Sequence, residues 1–158
     1  MTPTDAMLLA ALSRTFLSWR RHVQRKLAPA GCSIQQYHVL RQLARRGSLA
    51  PSAIAKMLHA DRPTASLVIA NLAQAGWVEL SRDPADGRRR IVAATAQGLA
   101  VLANARALLA ADAAAFQPLA GLDDSERAQL LDLLTRVERG IADVESMAVT
   151  VEEADEGE

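Results

Sequence analysis

The feature of this sequence that most constrains its fold is the stretch 61–95, DRPTASLVIANLAQAGWVELSRDPADGRRRIVAAT. Its first part has the spacing of an amphipathic helix, with apolar residues at positions i, i+3, i+4 and i+7. Asp61 can cap the start of this helix, Pro63 is tolerated in its first turn, and Gly76 can end it in a left-handed conformation. The pattern predicts a helix over 62–75 with a buried face of Ala65, Val68, Ile69 and Leu72.

Two strand-like runs follow this helix, at Trp77–Ser81 and Ile91–Thr95. The loop between them contains an Asp-Pro and an Asp-Gly turn signal, and three consecutive arginines end it. A helix followed by a hairpin with a basic tip is the layout of a winged helix. In such a fold the helix would fill a DNA major groove, and the hairpin arginines would reach the backbone or the minor groove.

The residues before this stretch predict three further helices. The first covers 5–28, and the second begins with the capping box Ser33-x-x-Gln36 and stops at Gly47. Pro51 begins a short third helix, and Ser48–Ala50 can form a short edge strand beside the hairpin. Two short helices joined by a tight turn, the second amphipathic, indicate a helix-turn-helix.

The residues after the hairpin predict two long helices. Thr95 can cap a fifth helix over about 96–117, which is apolar on most faces and would need burial against a partner subunit. Asp123-x-x-Glu126 is a capping box for a sixth helix to about residue 146. We therefore expect a mainly α fold with a small β-hairpin wing, in which 33–95 form the winged helix-turn-helix, 1–32 and 96–147 a helical dimerisation region, and 148–158 an acidic disordered tail.

The charges are divided unevenly along a chain that has no net charge. Residues 6–91 contain 14 Arg or Lys and 4 acidic residues, whereas residues 92–158 contain 4 Arg and 13 acidic residues. Such a division gives the molecule a directional field, positive around the predicted winged helix. The alternative is a solvated surface with no special partner.

Other classes of protein are disfavoured by what the sequence lacks. One cysteine excludes an intramolecular disulfide, and the three histidines have no spacing that indicates a metal site. Nucleophile–base and paired-carboxylate arrangements have no supporting context, so we expect neither an enzyme nor a cofactor. The absence of a basic n-region at the start and of a long uncharged apolar run predicts a cytoplasmic protein without a membrane contact.

The chain resembles the MarR family of bacterial transcriptional regulators. The resemblance is carried by LAPSAIAKML, by the 61–95 stretch with AQG after it, and most specifically by Asp86-Gly87-Arg88 in the wing. It extends over nearly the whole chain except the last ten residues. It implies a homodimer built by the first, fifth and sixth helices, a roughly palindromic site on double-stranded DNA, and repression relieved by a small ligand or by oxidation.

The chain departs from the family pattern at a few positions. The exposed face of the recognition helix often carries arginines where this sequence has Leu67 and Asn71. Ala50 stands where a capping Thr or Ser is usual, and Ala94 where a Leu is usual. The first two differences raise the alternative of a helical interaction module that has lost DNA binding.

The candidate DNA-binding residues lie off the apolar face of the recognition helix, in the wing, and at the start of the third helix. Residues near the helix N-terminus best meet base edges or phosphates, and Asn71 could bind adenine. We expect Asp86 to orient Arg88 by a charge-assisted hydrogen bond, with an arginine entering the minor groove. The candidates are Ser52, Arg62, Pro63, Thr64, Ser66, Leu67, Asn71, Asp86, Arg88, Arg89 and Arg90.

Two further sites are suggested by the resemblance. Small aromatic acids often bind family members between the dimer helices and the winged helix, which would place Trp19, His22, Tyr37 and His38 near a crevice with an arginine available for an anion. These residues are otherwise ordinary core or structural side chains. Cys32 lies near a helix N-terminus, where the pKa of a thiol can be lowered, so a redox-sensing regulator is a second hypothesis.

Overall fold

The structure is a computed structural model that describes residues 3–84, 86–111 and 116–155, with side chains described as far as residue 144. The described residues are mostly helical with a small three-stranded antiparallel sheet, which confirms the predicted fold class. They divide into two compact units, before and after residue 113. In chain order the elements are α1 (Asp5–Leu27), a 3₁₀ turn (Ala28–Ala30), α2 (Ile34–Arg46), β1 (Ser48–Leu49), α3 (Pro51–Leu58), α4 (Arg62–Gln74), β2 (Val78–Arg82), β3 (Arg90–Ala94), α5 (Ala96–Ala111) and α6 (Asp124–Asp155).

The two predicted capping boxes are confirmed. Ser33 Oγ accepts the Gln36 backbone N–H at 3.2 Å, and Gln36 Oε1 accepts the Ser33 backbone N–H at 2.9 Å. Asp123 and Glu126 make the same reciprocal pair at the start of α6, with both distances 2.9 Å. Each box satisfies two backbone N–H groups that the helix itself leaves unbonded, so these sequences determine where α2 and α6 begin.

The sheet has the order β1-β3-β2, with antiparallel pairing throughout. The hairpin pairs Leu80 with Val92, and β1 pairs Leu49 with the same residue from the other side. The predicted edge strand is therefore present. Both hairpin strands differ by one residue from their predicted bounds, and β2 extends to Arg82.

The core of the first unit lies between α2, α3, α4 and the sheet. All four residues of the predicted α4 stripe are buried, with Leu72 completely so. α1 and α5 pack against each other and against α2 within the same unit. The main cluster consists of Val39, Leu40, Leu43, Ile54, Val68, Ile69, Leu72, Val78, Val92 and Leu102.

A close backbone approach joins the end of α4 to the start of α5. Thr95 Oγ1 donates a hydrogen bond to the Gly76 carbonyl at 2.6 Å and accepts the Gly98 N–H at 3.1 Å, so Thr95 caps α5 as predicted. A Cβ at Gly98 would overlap the Trp77 carbonyl oxygen. Glycine is therefore required at position 98, although it lowers the helix propensity of α5, because only a hydrogen atom fits between α5 and this carbonyl group.

Two helix ends differ from the prediction. α5 is described to Ala111 and Phe116 is not helical, while residues 112–115 of the predicted 96–117 helix lie outside the described residues. α6 continues to Asp155, so a disordered tail from residue 148 is wrong for 148–155. That segment contains no Pro or Gly, and its Ala and Glu residues are good helix formers. Residues 156–158 of the predicted tail lie outside the described residues.

Candidate nucleic-acid interface and ligand cavity

The N-terminus of α4 is exposed and is capped by Asp61. Asp61 Oδ1 accepts the Thr64 backbone N–H at 2.8 Å. Hydrogen bonds from the Thr64 side chain and backbone lower the pKa of the Asp61 carboxyl group, which keeps the cap ionised. Because the buried stripe occupies one side of α4, the predicted contact residues are all exposed: Arg62, Pro63, Thr64, Ser66, Leu67 and Asn71.

A small groove brings α3 to the N-terminal part of α4. It has a volume of about 180 Å³. Ser52 from the start of α3 and Arg62 and Ser66 from α4 line it, together with small apolar residues. Ala50, at the N-cap of α3, makes no side-chain cap, as the sequence predicts. The groove therefore gathers two hydroxyl groups and one guanidinium group, all suited to a phosphate oxygen.

The wing tip is organised by Asp86, which contacts both Arg88 and Arg89. Asp86 Oδ1 accepts the Arg88 backbone N–H at 3.1 Å, and Asp86 Oδ2 pairs with Arg89 Nε at 3.3 Å. The predicted hydrogen bond between Asp86 and Arg88 is therefore present, and it is made by the backbone N–H of Arg88. The turn places the Arg88 backbone, rather than its guanidinium group, within reach of the carboxylate. Arg88, Arg89 and Arg90 are all exposed.

Arg82 is a further basic residue of the wing that the sequence analysis missed. It lies opposite Arg90 in the hairpin register, and both are exposed. Like charges directly opposite each other on neighbouring strands repel, and a bound phosphate would relieve this repulsion. Extending the first predicted strand by one residue would have revealed the pair.

A second concave site of about 480 Å³ lies between α1, α2 and the C-terminal end of α3. Trp19 and His38, both predicted from the resemblance, line it. His22 and Tyr37 do not line it. Tyr37 instead packs against the main cluster and against a second, smaller cluster of Val23, Leu27 and Ala105. Its ring lies edge-on to His38, with ring centroids 5.7 Å apart. The further polar lining residues, which were not predicted for this site, are Arg20, Gln24, Ser33, Gln35, Arg41, Gln42 and His59.

Two polar side chains that line the cavity each have a buried atom without a hydrogen-bond partner in the part of the chain that the structure describes. Arg41 Nε and Gln42 Oε1 are buried without a hydrogen-bond partner among the described residues. Burial and the positive charge of Arg41 lower the pKa of His38, so His38 favours its neutral form. A buried donor on a cation without an acceptor is costly, and an anionic or hydrogen-bonding ligand would satisfy it. The spacing of His38 and Arg41, i and i+3, was the available sequence signal.

Cys32 does not have the environment predicted for a reactive thiol. Its side chain is 2% exposed, and Sγ donates to the Ser33 carbonyl oxygen at 3.4 Å. Burial raises the pKa of Cys32 to about 11. The expected lowering of this pKa is wrong, because removal from water outweighs the nearby helix N-terminus.

Metal-binding groups and membrane-spanning helices are both absent from the part of the chain that the structure describes. Among the described side chains, which extend to residue 144, no three of His, Cys, Asp or Glu form a group that could hold a metal ion. Within residues 3–84, 86–111 and 116–155, no helix is both long and apolar enough to cross a membrane.

Comparison with known proteins identifies the family. The sequence model of the MarR family matches residues 32–89. An HTH-type transcriptional regulator of Mycobacterium tuberculosis is 31% identical over 106 residues, which cover 67% of this chain and 74% of the relative.

Two solved structures are similar over most of their length. A MarR mutant from E. coli complexed with operator DNA has a TM-score of 0.72 and 26% identity, covering 84% of this chain and 95% of that chain. The PcaV transcriptional regulator from Streptomyces coelicolor, in complex with its natural ligand, has a TM-score of 0.67 and 28% identity, covering 88% of this chain and 98% of that chain. The winged-helix geometry and these matches lead to one conclusion: the chain belongs to the MarR family of transcriptional regulators.

Proposed function

We propose that this protein is a homodimeric repressor that binds a pseudo-palindromic operator and is released from it by a small anionic or aromatic ligand. The observation that carries the DNA-binding part is the exposed face formed by the N-terminal half of α4 and the wing. The apolar stripe of α4 is buried on the opposite side of the helix, so its polar side chains are exposed on this face. The hairpin adds exposed arginines to the same face. The E. coli relative, which was solved with operator DNA, supports the same use here.

Each part of this face suits a different part of DNA. α4 has the size of an element that fits a major groove, and its N-terminus favours negative charge. The groove formed by Ser52, Arg62 and Ser66 suits a phosphate beside that major groove. The wing arginines suit the neighbouring backbone or a narrow minor groove. The cap on α4 and the Asp86 turn pre-organise both elements before DNA arrives.

The homodimer is supported by apolar surface that each unit leaves exposed. In the first unit, α1 exposes Leu8, Leu9 and Phe16, each by more than half of its surface. In the second unit, α6 exposes large apolar residues, including Leu133, Ile141 at 49% and Val144 at 67%. Rows of exposed apolar residues at helical spacing are typical of surfaces that a second subunit covers. A dimer would also present two α4 helices to two half-sites about one helical turn apart.

The release step is supported by the cavity beside the helix-turn-helix. It is lined by Trp19 of α1, by His38 and Arg41 of α2, and by His59, which ends α3 with a left-handed backbone (φ 48°). A carboxylate that pairs with Arg41 would satisfy its unbonded Nε, while an aromatic ring would contact Trp19. Because α3 packs on α4, filling the cavity would alter the position of the recognition helix relative to α1. The ligand-bound PcaV structure supports ligand control in this chain.

Footprinting tests the operator part of the proposal. A duplex would be selected from a random pool by the full-length protein and probed by chemical footprinting. We expect protection with dyad symmetry and two half-sites centred about 10 base pairs apart, as two symmetric recognition helices require. A selected pool without enriched sequence, or an asymmetric footprint, would contradict the proposal.

A matched pair of small molecules tests the release step. Benzoate and benzamide have the same ring and nearly the same shape, but only benzoate is an anion at neutral pH. We expect benzoate at millimolar concentration to weaken DNA binding more than benzamide, and Arg41→Gln to remove this difference. Equal effects of the two compounds on the wild-type protein would contradict recognition of an anion at Arg41.

A further inference from the structure

The outward face of α4 has an apolar centre. Leu67 is 62% exposed, although it belongs to the second turn of a helix whose other large aliphatic residues are buried. At 100° per residue along the helix, Leu67 projects nearly opposite the buried stripe. Pro63 and Ala70 project on the same side of the helix as Leu67. All three are exposed. The part of the recognition helix that would penetrate deepest into a groove therefore carries no charge.

Polar and basic groups surround this apolar centre. Thr64 and Asn71 project on one side of Leu67, and Ser66 on the other, next to the groove that contains Arg62. The wing places exposed arginines in the same compact unit. A purely apolar partner would leave these cations without counter-charges, whereas DNA supplies phosphates at the rim and base edges at the centre.

We propose that Leu67 recognises the 5-methyl group of a thymine in the major groove of each operator half-site. This inference rests on the proposed DNA-binding function and specifies what the recognition helix reads. Among the chemical groups on base edges in the major groove, the thymine methyl is the one that an aliphatic side chain can contact favourably. Leu67 leans toward the N-terminus of α4, as helical side chains do, and so covers the turn best placed to meet base edges.

The expected energy is that of burying one methyl group against an aliphatic side chain. Its loss weakens binding by about fourfold per half-site. A symmetric dimer counts the loss twice, so removing the methyl from both half-sites should weaken binding roughly 15-fold. Asn71, one turn further along α4, can make a hydrogen bond to a neighbouring adenine and would not be affected by the methyl group.

Replacement of thymine by uracil isolates the methyl group, because deoxyuridine pairs with adenine but lacks the methyl. The probe is the duplex selected from a random pool, with each thymine replaced in turn by deoxyuridine in both half-sites. Binding is measured by fluorescence anisotropy for wild type, Leu67→Ala, Leu67→Met and Asn71→Ala. Because Leu67 is exposed and Ala favours helix, Leu67→Ala should fold normally, which thermal unfolding by circular dichroism checks.

Wild type should bind one uracil-substituted duplex about 15-fold more weakly than the thymine duplex. Leu67→Ala should bind the two duplexes equally. Leu67→Met, which keeps an apolar side chain, and Asn71→Ala should both retain most of the uracil effect even if their overall affinity falls.

Three results would overturn the inference. If no uracil substitution weakens wild type, Leu67 does not read a methyl group. If the effect persists in Leu67→Ala, another residue reads it. If Leu67→Ala binds the thymine duplex as tightly as wild type, the apolar centre of α4 does not lie in the groove and is suited to a protein partner instead. Failure to select any preferred duplex would refute the proposed function itself, and the inference with it.

Discussion

α4 and α1 are both amphipathic helices, but their apolar faces differ in burial. The four stripe residues of α4 are buried within its own unit. In α1 only Val23 and Leu27, near the C-terminal end, are buried, whereas Leu8, Leu9 and Phe16 remain more than half exposed. The winged helix therefore has a core that is completed within its own unit, with Leu102 of α5 included, whereas the N-terminal half of α1 leaves its apolar residues uncovered. This difference separates the part of the chain that can present a rigid surface to DNA from the part that needs another surface to cover it.

The largest expected effect is a loss of stability in the core around the winged helix. In Gly98→Ala the new Cβ would overlap the Trp77 carbonyl oxygen at the junction of α4, β2 and α5. We expect a loss in the free energy of unfolding of about 3 kcal/mol, measured by urea denaturation. The matched control is Gly140→Ala in α6, where a Cβ meets nothing within 4 Å and should stabilise the protein by about 0.5–1 kcal/mol. A loss in Gly98→Ala no larger than about 0.5 kcal/mol would contradict the close approach.

The next effect concerns the exposed apolar residues of α1 and the oligomeric state of the protein. Leu12→Glu places a charge in the middle of the exposed α1 stripe, and burying an unpaired carboxylate at a subunit interface is costly. We expect light scattering at micromolar concentration to show the dimer for wild type and the 16.9 kDa monomer for the variant, with its helical circular dichroism retained. Ala10→Glu adds the same charge on the opposite face of α1 and should remain dimeric. A wild-type protein that is a stable monomer would contradict the comparison directly.

A smaller effect should appear in the cavity, where α1 and the winged helix meet. Burial and Arg41 hold the pKa of His38 below its ordinary value. The unfolded chain therefore binds a proton at His38 more readily than the folded chain. The stability of the protein should fall as the pH decreases through about 6.5, and His38 should not affect the pH dependence of stability at higher pH. His38→Gln should reduce this fall, and Arg41→Gln should reduce it partly. The change in midpoint temperature between pH 7.5 and 5.5 should differ by no more than about 3 °C among the variants. An unchanged pH dependence in His38→Gln would contradict the assignment.

The sequence predicted best what depends on neighbouring residues. The boxes Ser33–Gln36 and Asp123–Glu126 and the α4 stripe are set within one or two helical turns, so spacing alone located them. The pairing of Arg82 with Arg90 depends on strand register, and the unbonded Arg41 Nε depends on packing between helices. Cys32 shows the same limit, because its raised pKa comes from residues brought around it by the fold. The roles of the site residues in binding DNA or ligand remain predictions that the experiments above address.

The central claim is that the exposed face of α4 and the wing binds DNA, and the salt dependence of binding tests it most directly. Anisotropy would be recorded at several salt concentrations for wild type, Arg88→Ala and Arg106→Ala, which removes an exposed arginine of α5 as a charge-matched control. Each lost phosphate contact should reduce the slope of log affinity against log salt by about 1 per subunit. We predict weaker binding and this flatter slope for Arg88→Ala, and wild-type values for Arg106→Ala. Equal affinities and slopes for wild type and Arg88→Ala would show that the tip of the wing does not touch DNA and would contradict the account.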